Sequence, residues 1–240
     1  MTKTAKKRAV KKVATVLKKK KKLPTAELVA REIAKREKIF KAANNAEKRV
    51  LIAKDVIAQI KAKKIKPFQG MFVRFREESC IGPRGCEPTV GSMQIAADAD
   101  ARELLLTNKI SQCTCCALGS MFVSCTLYNN HTSAKDLQRC DWSIANWLDR
   151  SVQEEDDDTD GEPIRNGLNK FFSLTQLRLI EQTFEANEGY IRSNDEDETG
   201  RAYPKFKKEQ YEFCQKYRRM DTRLVAIMRN IVRNKGTFKP

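Results

Sequence analysis

Residues 110 to 134 read ISQCTCCALGSMFVSCTLYNNHTSA, from Ile110 to Ala134, without a single Asp, Glu, Lys or Arg. A charge-free run of this length raises the question of a membrane span. Its apolar centre, Cys115 to Tyr128, is short and carries Ser120, Ser124 and Thr126, whereas a helix that crosses a bilayer needs roughly 20 apolar residues. The segment therefore reads as a buried core helix, Cys113 to Tyr128, around which the other elements must pack. Gly119 lies inside that pattern, where glycine costs about 1 kcal/mol against alanine. Close packing would justify it, with Ala there expected to be mild and Leu disruptive.

Outward from this core, the amphipathic segments are helical. Pro24 and Thr25 punctuate the chain before a helix from Ala26, with Val29, Ile33 and Phe40 on one stripe. Asn44-Asn45 interrupts, and a second helix places Val50, Ala53, Ile57 and Ile60 on a shared face until Lys66-Pro67 ends it. Met71 to Phe75 has strand composition, and Ala97 to Leu106 suits a short helix. Ser133 and Asp136 resemble a capping box opening a helix with Trp142 and Trp147. Ser173 and Gln176 form another, with Phe172 and Leu177 as its hydrophobic staple, which predicts a helix from Leu174 to Ala186. Asp221 is the expected N-cap of a last helix bearing Leu224, Ile227, Met228 and Ile231, with Arg233 and Lys235 at its end and Gly236 as the stop.

The fold class is thus mainly α with a small β element. Residues 1–22 read as a disordered Lys-rich tail, 23–66 as a basic helical arm, and 67–240 as a globular, mostly helical domain with acidic loops at 151–167 and 193–200.

Charge is the second organising feature. The chain of 240 residues carries a formal net charge of +16. Residues 1–66 hold 23 basic side chains against 5 acidic ones, and the rest holds 24 against 26. An excess confined to one end calls for a polyanionic partner, and a tail of this kind meets phosphates without reading bases. The candidate nucleic-acid contacts in the tail are Lys6, Lys7, Arg8, Lys11, Lys12, Lys18, Lys19, Lys20, Lys21 and Lys22. On the arm they are Lys48, Arg49, Lys54, Lys61, Lys63 and Lys64, with Arg229 and Arg233 as a second patch. The tail lacks the Phe, Trp or Leu interleaving of a membrane-surface helix, so no membrane partner is expected.

Eight cysteines invite two enzymatic readings. The first 22 residues lack the apolar segment of about 7 to 15 residues that secretion requires. A reducing setting follows, cytoplasmic, nucleoid-associated or virion, in which thiols stay free or bind metal. Cys80, Cys86, Cys113 and Cys116 could supply four thiolates to zinc, although their spacing is wider than zinc knuckles use. Cys115 or Cys116 at a helix N-terminus could act as a nucleophile, with His131 as base and Asp136 or Asp141 to orient it. Asp156-x-Asp158-x-Asp160-Gly161 begins like a calcium loop, but its twelfth position is Gly167 in place of Glu. No phosphate-binding glycine loop is present.

At Cys113-Thr-Cys-Cys-Ala-Leu-Gly-Ser-Met-Phe, with Asp141-Trp142 and a Leu-x-x-Ile-x-x-x-Phe helix from Leu177 to Phe184, the sequence resembles an uncharacterised domain family of phages and bacteria. That family has a Cys-x-x-Gly-Ala-Leu helix preceded by an amphipathic helix, which would correspond here to Asp55 to Lys64. The resemblance covers roughly residues 50–187. Ser120 departs from the Ala expected after Gly119, and Asp141-Trp142-Ser143 from Trp-Asn-Asp. It implies a fold and a phage origin, and assigns no catalytic residue.

The reading carried forward is a non-enzymatic, sequence-nonspecific nucleic-acid-associated protein without a cofactor. The alternatives are a virion or assembly component that engages another protein or polyanion, and an enzyme using the cysteines directly or through zinc.

Overall fold

A computed structural model of the chain describes residues 26–70, 72–77, 100–107, 110–129, 162–186 and 208–240. The tail, the Cys80 to Cys86 loop, the Ser133 capping box, the tryptophan segment and the acidic stretches at 151–161 and 193–200 lie outside them.

The charge-free run divides into two elements. Ile110–Cys115 is a strand, β3, and Ala117–Tyr128 a helix, α4. Cys116 stands between them as the N-cap, its sulfur accepting from the Gly119 N–H at 3.4 Å. The expected helix from Cys113 is therefore corrected by one turn. Residues 113–115 are extended because their backbone groups pair with strands on both sides, a non-local reward that overrides the continuous apolar pattern. β1 (Ile65–Pro67) runs parallel to β3, with Ile65 opposite Cys113. β2 (Val73–Glu77) runs antiparallel on the other side, with Val73 opposite Cys115. The sheet order is β1-β3-β2.

From Ala117 to Leu127 every residue of α4 is buried. The helix touches α1 (Ala26–Ala42), α2 (Asn45–Lys61), α3 (Ala101–Leu106), α5 (Glu162–Asn169) and α6 (Leu174–Glu185), as well as β1 and β3. Its first turn presses on the chain entering β2, where the Cys116 N–H reaches the Phe72 carbonyl at 3.3 Å. An ideal Cβ on Gly119 would come within 1.6 Å of that same oxygen. Glycine is required here by backbone contact, and the expectation that alanine would be mild is overturned.

Residues 26–66 are part of the main core. Phe40, Ile52, Ala53, Val56 and Ile65 belong to one cluster with Leu118 and Leu224, which replaces the separate arm. Asn44 explains the interruption, because its side chain accepts from the Glu47 N–H while Glu47 accepts from the Asn44 N–H. Along α2 the most buried positions are Ile52, Ala53, Asp55 and Val56. This is a wider band than the expected Val50, Ala53, Ile57 and Ile60 stripe, because α4 and α8 both cover the helix. Lys66-Pro67 lies in β1, after the helix has ended at Lys61.

α5 begins at Glu162, so the acidic loop does not extend to 167. Pro163 sits in the first helical turn, where its missing N–H is harmless. α6 starts as expected, with Ser173 accepting from the Gln176 N–H at 3.3 Å. The Gln176 side chain instead brackets Phe238, accepting from its N–H at 2.8 Å and donating to its carbonyl at 3.4 Å. α7 (Lys208–Lys216) leads to α8 (Met220–Arg233). The N-cap of α8 is Arg219 with no side-chain bond, and Asp221 pairs with the Arg219 guanidinium at 2.8 Å. Leu224, Ile227, Met228 and Ile231 are all buried. The helix closes where Lys235 and Gly236 adopt positive φ and the Gly236 N–H returns to Ile231 O at 2.8 Å. Among the described residues no helix is long and apolar enough to cross a membrane.

Candidate nucleic-acid interface

Lys6, Lys7, Arg8, Lys11, Lys12 and Lys18 to Lys22 lie outside the described residues. Of the arm positions, Lys54, Lys61 and Lys63 are exposed and Lys64 is half-buried. Lys54 and Lys61, seven residues apart on α2, share its outer face. Lys35 and Lys38 on α1 are exposed as well, and sequence reasoning passed over them because carboxylates are interspersed there. Arg229 and Arg233, one turn apart on α8, are both exposed.

Arg49 departs from the expectation. Its Nε donates to the Gly236 carbonyl at 2.7 Å and its Nη1 to the Phe171 carbonyl at 2.8 Å, while the guanidinium lies over the Phe172 ring. Both carbonyls lie in the turns that follow α5 and α8, and a guanidinium fork satisfies the two together. Arg49 is a clamp within the fold.

Lys48, its neighbour, opens into a cleft of about 200 Å³. The end of α1 supplies Glu37, Phe40 and Lys41, the first turn of α2 supplies Lys48, the end of α4 Tyr128 and Asn129, and the α5–α6 turn Lys170 and Phe171. The floor is aromatic: Phe40 stacks on Tyr128 at 5.3 Å and meets Phe171 edge-on at 5.1 Å. The Lys48 ammonium rests over the rings of Phe40 and Phe171, at 5.5 and 5.6 Å. Lys41 pairs with Glu37 at 2.7 Å, and the other oxygen of Glu37 meets Arg102 at 3.2 Å. Bonds from Lys41 and Arg102 hold the Glu37 carboxyl below its ordinary range. Among the described residues Lys48 and Lys170 form no ion pair.

Beside the cleft, Arg36 lies over the Tyr128 ring and donates to Asp55 at 2.7 Å and Glu32 at 2.8 Å. The Gln59 amide donates to the second oxygen of Asp55. Burial opposes the charge on Arg36, and its carboxylate partners more than offset that. This network fastens α1 to α2 and fixes Phe40 in the floor.

The cysteines lie elsewhere. Cys113, Cys115 and Cys116 are buried at the strand-to-helix junction. Cys116 does stand at a helix N-terminus, as the nucleophile reading required. Burial, reinforced by nearby Glu181 and Glu185, nevertheless pushes its thiol well up, and the Gly119 and Leu118 N–H groups offset only part of this. Burial and the neighbouring Cys113 raise the Cys115 thiol in the same way. These are neutral core groups. Cys80, Cys86, His131, Asp136 and Asp141 lie outside the described residues, and among those described no group of three or more His, Cys, Asp or Glu is arranged to hold a metal. Glu185 accepts from the Gly70 N–H at 2.8 Å, and burial raises its carboxyl to about 7.

Of the predicted contacts among the described residues, only Lys48 enters the cleft. Lys41 and Lys170 were missed because they stand apart in the sequence, although Lys170-Phe171-Phe172 juxtaposes a cation and two rings. No family model, curated protein or solved structure matches the chain.

Proposed function

We propose that the protein is a non-enzymatic nucleic-acid-associated protein that binds phosphates without reading sequence. The observation that carries this is the charge division: 23 basic residues against 5 acidic ones in the first 66 positions, and near neutrality beyond. Exposed Lys35, Lys38, Lys54, Lys61 and Lys63 extend that cationic character onto α1 and α2, where each phosphate contact releases condensed counterions. The buried, proton-retaining thiols of Cys115 and Cys116 support a non-catalytic reading.

Fluorescence anisotropy against duplex DNA and single-stranded RNA over a salt series tests it. The logarithm of affinity should fall linearly with the logarithm of salt, by about 0.9 per phosphate neutralised on DNA, and scrambled targets should bind alike. Binding that is absent at low salt, or that salt leaves unchanged, would remove the reading.

A further inference from the structure

We infer that the cleft between α1, α2 and the α5–α6 turn receives a terminal phosphate of the bound strand, a phosphate monoester, while the exposed lysines meet backbone diesters. The inference rests on the nucleic-acid reading above and assigns it a distinct site.

Charge is the first argument. Among the described residues the cleft has three ammonium groups, of Lys41, Lys48 and Lys170, against the single carboxylate of Glu37, which Lys41 and Arg102 already engage. A phosphate monoester carries close to two negative charges near neutral pH, where a diester carries one. The monoester is the better match to the surplus. The buried floor under Phe40 keeps water from one side, which strengthens the attraction to an anion held above it.

Shape is the second. The three lysines come from three separate elements and line one cleft, whereas a run along one helix would follow a strand. The volume of about 200 Å³ corresponds to roughly six or seven waters, room for a phosphoryl group and part of a sugar. The Tyr128 and Phe40 rings leave little platform for a base. Tyr128 is covered by Phe40 and Arg36, and Phe40 by Tyr128 and Lys48. The ligand is thus held by charge at a strand end and not by stacking along a strand.

The test compares a short single strand carrying a 5′-phosphate with the same strand ending in a 5′-hydroxyl, by anisotropy, for the full chain and for a Lys48→Met, Lys170→Ala variant. Methionine keeps an apolar stem over the rings and removes the charge. The native chain should favour the phosphorylated strand by about tenfold, and inorganic phosphate should erode that preference. The variant should bind both strands equally, near the native affinity for the hydroxyl strand. If its melting temperature falls, Lys170→Ala alone, an exposed position with no ion pair among the described residues, should still reduce the preference. Equal binding of both strands by the native chain would overturn the inference while leaving the nucleic-acid reading intact, as would a variant that loses affinity for both in proportion. A phosphorylated peptide that competes more strongly than the phosphorylated strand would overturn it in favour of a protein partner. Failure to bind either strand would remove the broader reading and this one with it.

Discussion

The carbonyl oxygen of Phe72 stands where Gly119 would carry a Cβ, 1.6 Å from the ideal position of that atom. Neither side can yield easily, since the oxygen is backbone and the helix around Gly119 is buried. Gly119→Ala should therefore cost about 3 kcal/mol despite the better helix propensity of alanine. Gly167→Ala is the control, because a Cβ there meets only the Phe122 ring at 3.2 Å. Urea titration of both variants should separate them widely. Similar midpoints would mean that α4 does not press on Phe72 in solution.

Asp55 is a buried carboxylate held by Arg36 and Gln59. Asp55→Ala should cost about 2 kcal/mol by removing one of the two carboxylates that hold the guanidinium, Glu32 remaining as its partner. Arg36→Met with Asp55→Leu should recover much of that loss, and a double-mutant cycle on unfolding free energies measures the coupling. Additive losses would show the pair to be independent.

Arg49 and the exposed lysines should behave oppositely. Arg49→Met leaves the Phe171 and Gly236 carbonyls without their donor and should lower stability by about 2 kcal/mol, with the salt dependence of binding nearly unchanged. Lys54→Ala with Lys61→Ala should leave melting unaltered and flatten the salt slope by up to about two phosphates' worth. A flattened slope in the Arg49 variant would return that residue to the binding surface.

These contrasts mark what was readable in the chain and what was not. The α8 stripe of Leu224, Ile227, Met228 and Ile231 and its stop at Gly236 were legible because helical periodicity and chain reversal are local. β1 was not. Its three residues follow a helix and are extended by pairing with Cys113 to Cys115, far along the chain. Arg49 looked like its neighbours Lys48 and Lys54, and its partner Gly236 lies 187 residues away. The cleft was legible only at Lys48, since its other cations come from α1 and the α5–α6 turn.

Glu185 supplies a pH dependence. Burial raises its carboxyl from 4.5 to about 7, with the Gly70 N–H and Arg223 limiting the rise. The folded chain then holds a proton that the unfolded chain has released, so the contribution is fully present below the unfolded value and is lost as pH rises through about 7. Between about pH 5 and pH 8, stability should decline by up to about 3 kcal/mol, and Glu185→Gln should flatten that decline. Its titratable neighbours are Glu181 on the same helix, Cys116 at the α4 N-cap and Arg223 on α8. An identical pH profile in the glutamine variant would assign the dependence to another group.

The cysteines make a chemical prediction. Burial pushes Cys125 up to about 12 and Cys214 up to about 11, and raises Cys115 and Cys116 well above the ordinary thiol value. Iodoacetamide at neutral pH should leave all four unmodified in the native protein and label them after unfolding, read by peptide mass. Rapid labelling of native Cys116 would restore the nucleophile reading.

The seating of α2 against α8 has a consequence for how the chain is made. Synthesis runs from the amino end, so Ile52 and Val56 leave the ribosome long before Leu224 and Ile227, which lie on the helix that covers α2. β1 and β2 likewise emerge before β3, the strand inserted between them. The nascent chain therefore carries the α8-facing side of α2 uncovered through most of its translation, whereas β1 and β2 wait only until residues 110–115 have emerged. It closes only when the last helix arrives, so the first half is the stretch that a holding chaperone would shelter.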